Sequence, residues 1–76
     1  MKEKVRLELS RDEALVFFEW LTRLNKAESA GFEDQAEQRV LWDIEAMLES
    51  SLEEPLDPAY SELLAQARTR VRDPAE

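Results

Sequence analysis

The first residues of the chain alternate between apolar and charged side chains. Val5, Leu7 and Leu9 occupy every second position, and charged residues lie between them. A two-residue period is typical of a β-strand with one buried face. We therefore predict a short strand over residues 4–9, although no second strand-like segment follows with which it could pair.

The stretch that follows this strand predicts a helix. Ser10 and Glu13, in the sequence SRDE, have the spacing of a capping box, in which a hydroxyl and a carboxylate bind each other's backbone N–H groups. We predict the first helix over residues 11–26. Its apolar side chains spread over about 200° of the surface, and Leu15 lies outside even that arc. The apolar arc of an ordinary surface helix is only about half as wide. We therefore expect this helix to be covered on two sides, by its own fold and by something else.

Two further helices are predicted, over residues 33–52 and 58–72. The second carries an apolar stripe at three- and four-residue spacings. The residues of this stripe are Ala36, Val40, Leu41, Ile44, Met47, Leu48 and Leu52. The third helix follows Pro55, and Asp57 and Pro58 suit an N-cap and a first helical position. The fold class is therefore mostly α: a short N-terminal strand and three helices in one small domain, residues 1–76.

The length of the chain limits the core that it can build. A chain of 76 residues buries only about 60% of its unfolded surface, and small domains usually gain support from disulfides, metals or a second subunit. The chain has no Cys and no His, which leaves oligomerisation. We predict a homodimer through the strand and the first helix, with the interface residues Val5, Leu7, Leu9, Val16 and Trp20. The strand pairs either with its own copy or with another protein.

The net charge of −8 is concentrated in the middle of the chain. Residues 28–62 hold eleven acidic side chains, against Arg39 alone. Such a surface repels nucleic acid and anionic membranes and attracts a basic protein, although acidity can also serve solubility alone. The longest apolar run, residues 14–18, is too short to span a bilayer, and no secretory signal is recognisable. We therefore expect a cytoplasmic protein.

Candidate catalytic and ligand-binding chemistry is sparse. Two pairs of glutamates are spaced so that the carboxylates of each pair could bind a divalent cation or share a proton: Glu33 with Glu37, and Glu45 with Glu49. Without a His or a ligand-rich loop, these carboxylates are more typical of a solvated helix face. The arginines at positions 68, 70 and 72 fit charge balance at a helix C-terminus better than a phosphate site. We expect no catalytic, metal or cofactor-binding residue, and no enzyme.

Trp42 is the main anomaly of the second helix, because it lies about 160° from the centre of the apolar stripe. Trp and Arg are enriched at interface centres, and Arg39 is one turn away. We predict a partner-binding surface of Arg39, Trp42, Glu45 and Glu49. The alternative is that the strand or the 53–58 loop covers Trp42 within the monomer.

Three segments carry a resemblance across almost the whole chain. These are LELSRDEALVFFEWLTRLN, FEDQAEQRVLWDIEAMLE and EPLDPAYSELLAQARTRVRD. The chain resembles a group of short uncharacterised proteins from actinobacteria and other soil bacteria. No activity is attached to that group, so the resemblance implies a stand-alone small protein and transfers no catalytic residue.

The sequence favours a non-enzymatic, acidic, dimeric interaction module. One concrete form is an immunity protein or antitoxin that covers a basic toxin, where acidic side chains speed the encounter and aromatic anchors supply affinity. A second class is a purely structural homodimer or assembly subunit. A third, less favoured, is a nucleic-acid mimic, which would need carboxylates in two tracks along an elongated surface.

Overall fold

The computed structural model describes residues 3–27 and 31–73. Its three α-helices are α1 (Arg11–Lys26), α2 (Gln35–Ser51) and α3 (Tyr60–Arg72). A short 3₁₀ helix, Glu54–Leu56, precedes α3. Helix α1 packs against both α2 and α3. The prediction of a mostly helical chain with three helices is confirmed.

Helix α1 begins where the capping box predicts. The Glu13 N–H donates to Ser10 Oγ at 3.0 Å, and the Ser10 N–H donates to Glu13 Oε1 at 2.8 Å. Ser10 itself has an extended backbone, with φ −64° and ψ 163°. Two backbone N–H groups that would lack partners at the helix start are therefore bound, and the chain enters α1 from an extended segment.

Helices α2 and α3 begin two residues after the predicted starts at 33 and 58. At α2, Asp34 is the N-cap, and its carboxylate accepts the Ala36 N–H at 2.7 Å. Before α3, the Asp57 carboxylate accepts the Ala59 N–H at 2.8 Å, so Pro58 lies in the turn rather than in the helix. In both places an aspartate side chain organises the turn that precedes the helix.

The predicted strand over residues 4–9 is absent, and the part of the chain that the structure describes contains no strand. Residues 3–9 have no regular secondary structure, and none of their backbone groups takes part in a hydrogen bond within the described ranges. Val5 is 90% exposed and Leu7 82%. The physical reason is that a strand requires a neighbouring strand, and the helical body provides none.

The core lies on α1 between the two other helices. Its buried residues are Ala14, Leu15, Phe18, Leu21, Leu52, Leu64 and Ala67. Leu15, which lies outside the apolar arc of the helical wheel, is only 3% exposed and clusters with Leu64 and Ala67 of α3. Helix α3 thus covers a side of α1 that the helical wheel leaves outside its apolar arc.

The prediction for the buried side of α2 is also partly wrong. No residue of α2 is fully buried, and Val40 and Met47 of the predicted stripe are 53% and 60% exposed. At about 100° per residue, the half-buried residues of α2 centre about 60° away from the centre of the stripe. Only part of the stripe therefore faces α1, and the rest remains on the surface.

Polar contacts join α1 to the C-terminal part of the chain. The Tyr60 hydroxyl donates to Glu19 Oε1 at 2.9 Å. Arg70 donates to both carboxylate oxygens of Asp12, at 2.8 and 2.9 Å, and lowers the pKa of that carboxyl. Arg11 makes a similar pair with Glu54, at 2.7 and 3.0 Å. Exposed ion pairs contribute little stability, but bidentate geometry fixes orientation, and these pairs orient α3 and the 3₁₀ helix on α1.

The first prediction concerns the core. Leu21 has no exposed surface, so L21A should lower the free energy of unfolding by about 2–5 kcal/mol through lost burial and a residual cavity. Urea denaturation followed by circular dichroism measures this change. The matched control is L56A, because Leu56 is 91% exposed, and it should change stability by less than about 0.5 kcal/mol. Equal effects of the two variants would contradict this description of the core.

The second prediction concerns alkaline pH. Burial, with the hydrogen bond to Glu19 next in importance, raises the pKa of Tyr60 from 10.0 to about 12. Because the folded pKa exceeds the unfolded one, the contribution of Tyr60 to stability is fully present below pH 10 and is lost as the pH rises toward 12. Wild type should therefore exceed Y60F in stability at pH 8, and its advantage should shrink between pH 10 and 12. A pH-independent difference in denaturation experiments would contradict the assignment.

Candidate functional site

The acidic residues that could bind a metal ion are dispersed in the described part of the chain. Among residues 3–27 and 31–73, no cluster of three or more acidic, His or Cys side chains could hold a metal ion. In the Glu33 and Glu37 pair, Glu37 Oε1 accepts the Glu33 N–H at 2.9 Å, so this carboxylate acts at the N-terminal end of α2. None of the described helices is long and apolar enough to cross a membrane.

Residues 3–9, called the arm below, form the first candidate surface. Its apolar side chains become less exposed toward the helical body, from Val5 at 90% through Leu7 at 82% to Leu9 at 44%. Leu9, next to the start of α1, is thus the least exposed of the three. These three residues were predicted as interface residues, and the structure leaves all three accessible.

The second candidate surface is an open groove between α1 and α2, of about 600 Å³. It is lined mostly by apolar side chains, with Glu37 as the acidic member. The lining residues are Trp20, Leu24, Phe32, Ala36, Glu37, Val40 and Leu41. Trp20 is 44% exposed and stacks on Phe17, with ring centroids 6.1 Å apart and an interplanar angle of 16°. A groove with these properties is suited to apolar side chains from another chain.

The predicted interface residues Val16 and Trp20, one turn apart on α1, have different surroundings. Val16 is half-buried and packs against the core cluster, whereas Trp20 lines the groove. Val40 was predicted as part of the apolar stripe of α2, and Phe32 was given no role in a surface. The signal for Val40 is the width of that stripe, which exceeds what the one main neighbour of α2, helix α1, covers. Phe32 precedes α2, so no helical pattern points to it.

Trp42 lines a third candidate surface, a depression of about 490 Å³. Its other lining residues are Gln35, Ala36, Gln38 and Arg39, all from α2. Neither the arm nor the 53–58 loop lines this depression, and Trp42 is 49% exposed. The structure therefore brings Trp42 and Arg39 together on an accessible face of α2.

Glu45 and Glu49 have different surroundings. Glu45 is half-buried, and its carboxylate accepts Thr22 Oγ1–H at 3.1 Å and Asn25 Nδ2–H at 2.6 Å, both from α1. Glu49 is exposed. Because Glu45 joins α2 to α1, only Glu49 of this predicted pair lies open to solvent near Trp42.

Comparisons with known proteins add no relative: no protein-family model, curated protein or solved structure matches the chain. The class of the protein is therefore described by its fold alone. In the described residues it is a small three-helix protein with an irregular N-terminal arm and exposed apolar side chains on α1 and α2.

The third prediction uses the two glutamates as a matched pair. E45A removes the acceptor of two hydrogen bonds to α1 and should lower the free energy of unfolding by about 1–3 kcal/mol. E49A, one turn further along the same helix, should change it by less than about 0.5 kcal/mol. Thermal and urea denaturation measure both variants. If E49A were as destabilising as E45A, this would contradict the assignment of the hydrogen bonds to α1 to Glu45 alone.

Proposed function

We propose that this chain is a non-enzymatic interaction module, homodimeric through its arm, that binds a basic protein through α2. One observation carries the proposal: large apolar side chains remain exposed on the arm, α1 and α2. They include Val5, Leu7, Leu9, Trp20, Val40, Trp42 and Met47. Scattered apolar residues are normal on a surface, but contiguous sets that form a groove or a row mark interaction sites.

The charge of α2 supports a basic partner. Among the residues that the structure describes, the ion pairs are Arg11–Glu54, Arg70–Asp12 and Arg72–Asp73, and none involves α2. The carboxylates of Asp43 and Glu49 on this helix therefore face the solvent without a paired cation in the described residues. An uncompensated acidic surface accelerates encounter with a basic protein and weakens with salt.

Trp42 and Arg39 would supply the affinity of this contact. Both residue types are common among the few that dominate binding energy, and here they share one accessible depression. An immunity protein or antitoxin that covers a basic toxin is the concrete form of this function that combines acidity with an aromatic anchor. The arm remains available for dimerisation, because it does not line this depression.

The second candidate is a purely structural homodimer or assembly subunit. The apolar groove between α1 and α2 favours it, because Trp20 and Val40 would be covered in a subunit contact without any further partner. In that case the acidity serves solubility, and Trp42 is buried between subunits. The principal extents of the structure are 38 × 32 × 23 Å, which gives little support to the elongated acidic surface of a nucleic-acid mimic.

The fourth prediction separates the two candidates. Tagged wild-type protein, used as bait in a lysate of its native host, should retain a basic protein at low salt and release it near 0.5 M salt. W42A should weaken this binding on the order of thirtyfold, the effect of losing an interface hot spot. Titration calorimetry with the purified partner measures the change.

The matched control is W20A, which removes the same residue type from α1. It should leave partner affinity within about threefold of wild type, because Trp20 lies in the groove and not beside Trp42. Failure of wild type to retain any basic protein, or equal retention by W42A, would contradict partner binding. A W42A variant that loses dimer mass would instead support the structural candidate.

A further inference from the structure

We propose that two copies pair their arms antiparallel, with Leu7 opposite its own copy on the two-fold axis. This inference rests on the homodimer of the proposed function and specifies its register. The arm has no regular secondary structure, its backbone groups bind nothing within the described residues, and its apolar residues alternate with charged ones and are exposed. A second arm supplies hydrogen-bond partners for this backbone.

The charges of the arm select one register among those that keep the apolar side chains on one face. With Leu7 on the axis, Val5 faces Leu9 of the second copy and Arg6 faces Glu8. A two-residue shift of the second arm in one direction places Arg6 opposite Arg6, and in the other direction Glu8 opposite Glu8. Opposed like charges destabilise a strand pair and opposite charges stabilise it. Shifts by an odd number of residues place apolar side chains opposite charged ones.

The start of α1 decides which residues of this register exchange backbone hydrogen bonds. The Ser10 N–H is bound to Glu13, and the Ser10 carbonyl accepts the Ala14 N–H at 2.9 Å. Ser10 therefore cannot form a hydrogen-bonded pair with Lys4 of the other arm. Antiparallel strands alternate hydrogen-bonded and non-bonded pairs, so the bonded pairs are Leu7 with Leu7 and Val5 with Leu9. In this arrangement the capping box ends the ribbon at Ser10.

The apolar side of the paired arms continues into the helical bodies. A two-stranded ribbon alone is marginal in water, so its aliphatic side chains need a cover. Leu9, the residue of the row nearest α1, is 44% exposed and therefore less exposed than Val5 and Leu7. The same side chains of two copies then form one continuous apolar face.

Charge reversal tests the register. In the R6E dimer, a glutamate at position 6 of each copy faces Glu8 of the other copy, which gives two pairs of opposed glutamates. This variant should raise the dimer Kd about ten- to thirtyfold. E8R should act similarly, and the double variant R6E/E8R should return to within about threefold of wild type, because the opposite charges are restored in exchanged order. K4E, which faces Ser10, is the matched control and should stay within about threefold. Sedimentation equilibrium measures each Kd.

Single cysteines give an independent readout, because the natural chain has no cysteine. Hydrogen-bonded residues opposite each other lie about 5.5 Å apart between Cα atoms, within the span of a disulfide. L7C should therefore form a disulfide dimer rapidly under mild oxidation. V5C and L9C alone should form it at least about tenfold more slowly, since each lies about 13 Å along the ribbon from its own copy. A mixture of V5C and L9C should cross-link as fast as L7C.

The outcomes separate the register from the dimer. If wild type remains a monomer at high micromolar concentration, both the homodimer and the register fail. If wild type dimerises but the double variant is not rescued and V5C cross-links as fast as L7C, the register is overturned and the homodimer stands. Rescue together with preferential cross-linking at Leu7 is the result that the proposal expects.

Discussion

Helix α1 is the element on which the rest of the fold depends, because the two main helix–helix contacts, α1 with α2 and α1 with α3, both involve it. Leu15 and Phe18 of α1 join the core with α3 and Leu52, while Thr22 and Asn25 bind Glu45 of α2. The apolar arc of α1 is wider than these neighbours cover, and Trp20 remains accessible in the groove. A small domain that leaves such surface open gains stability by association with another chain.

The start of α1 determines where the arm ends. The capping box begins the helix at Arg11, and Ser10 itself has an extended backbone, so residues 3–9 stay outside α1. In the sequence of the arm, apolar and charged residues alternate, which is the pattern of a strand with one buried face. This alternation and the unbound backbone of the arm within the described residues both agree with the proposed pairing between copies.

Local signals in the sequence predicted the helices well, and packing decided what they could not. The SRDE box placed the start of α1 correctly because capping depends only on neighbouring residues. The burial of Leu15 and the exposure of Val40 depend on how each helix is rotated against its neighbour, which a helical wheel does not contain. Likewise, Glu45 has the same sequence signature as Glu49, but only Glu45 reaches donors on α1, since those donors come from a separate part of the chain.

The central claim is that the arm forms backbone hydrogen bonds with a second copy, and amide hydrogen exchange tests it most directly. Measured residue by residue by NMR, exchange at Val5, Leu7 and Leu9 should slow as protein concentration rises from low to high micromolar. The amides of Arg6 and Glu8 should remain fast, because antiparallel pairing binds alternate residues. Fast exchange throughout the arm at every concentration, in a sample whose mass is that of a dimer, would contradict the claim.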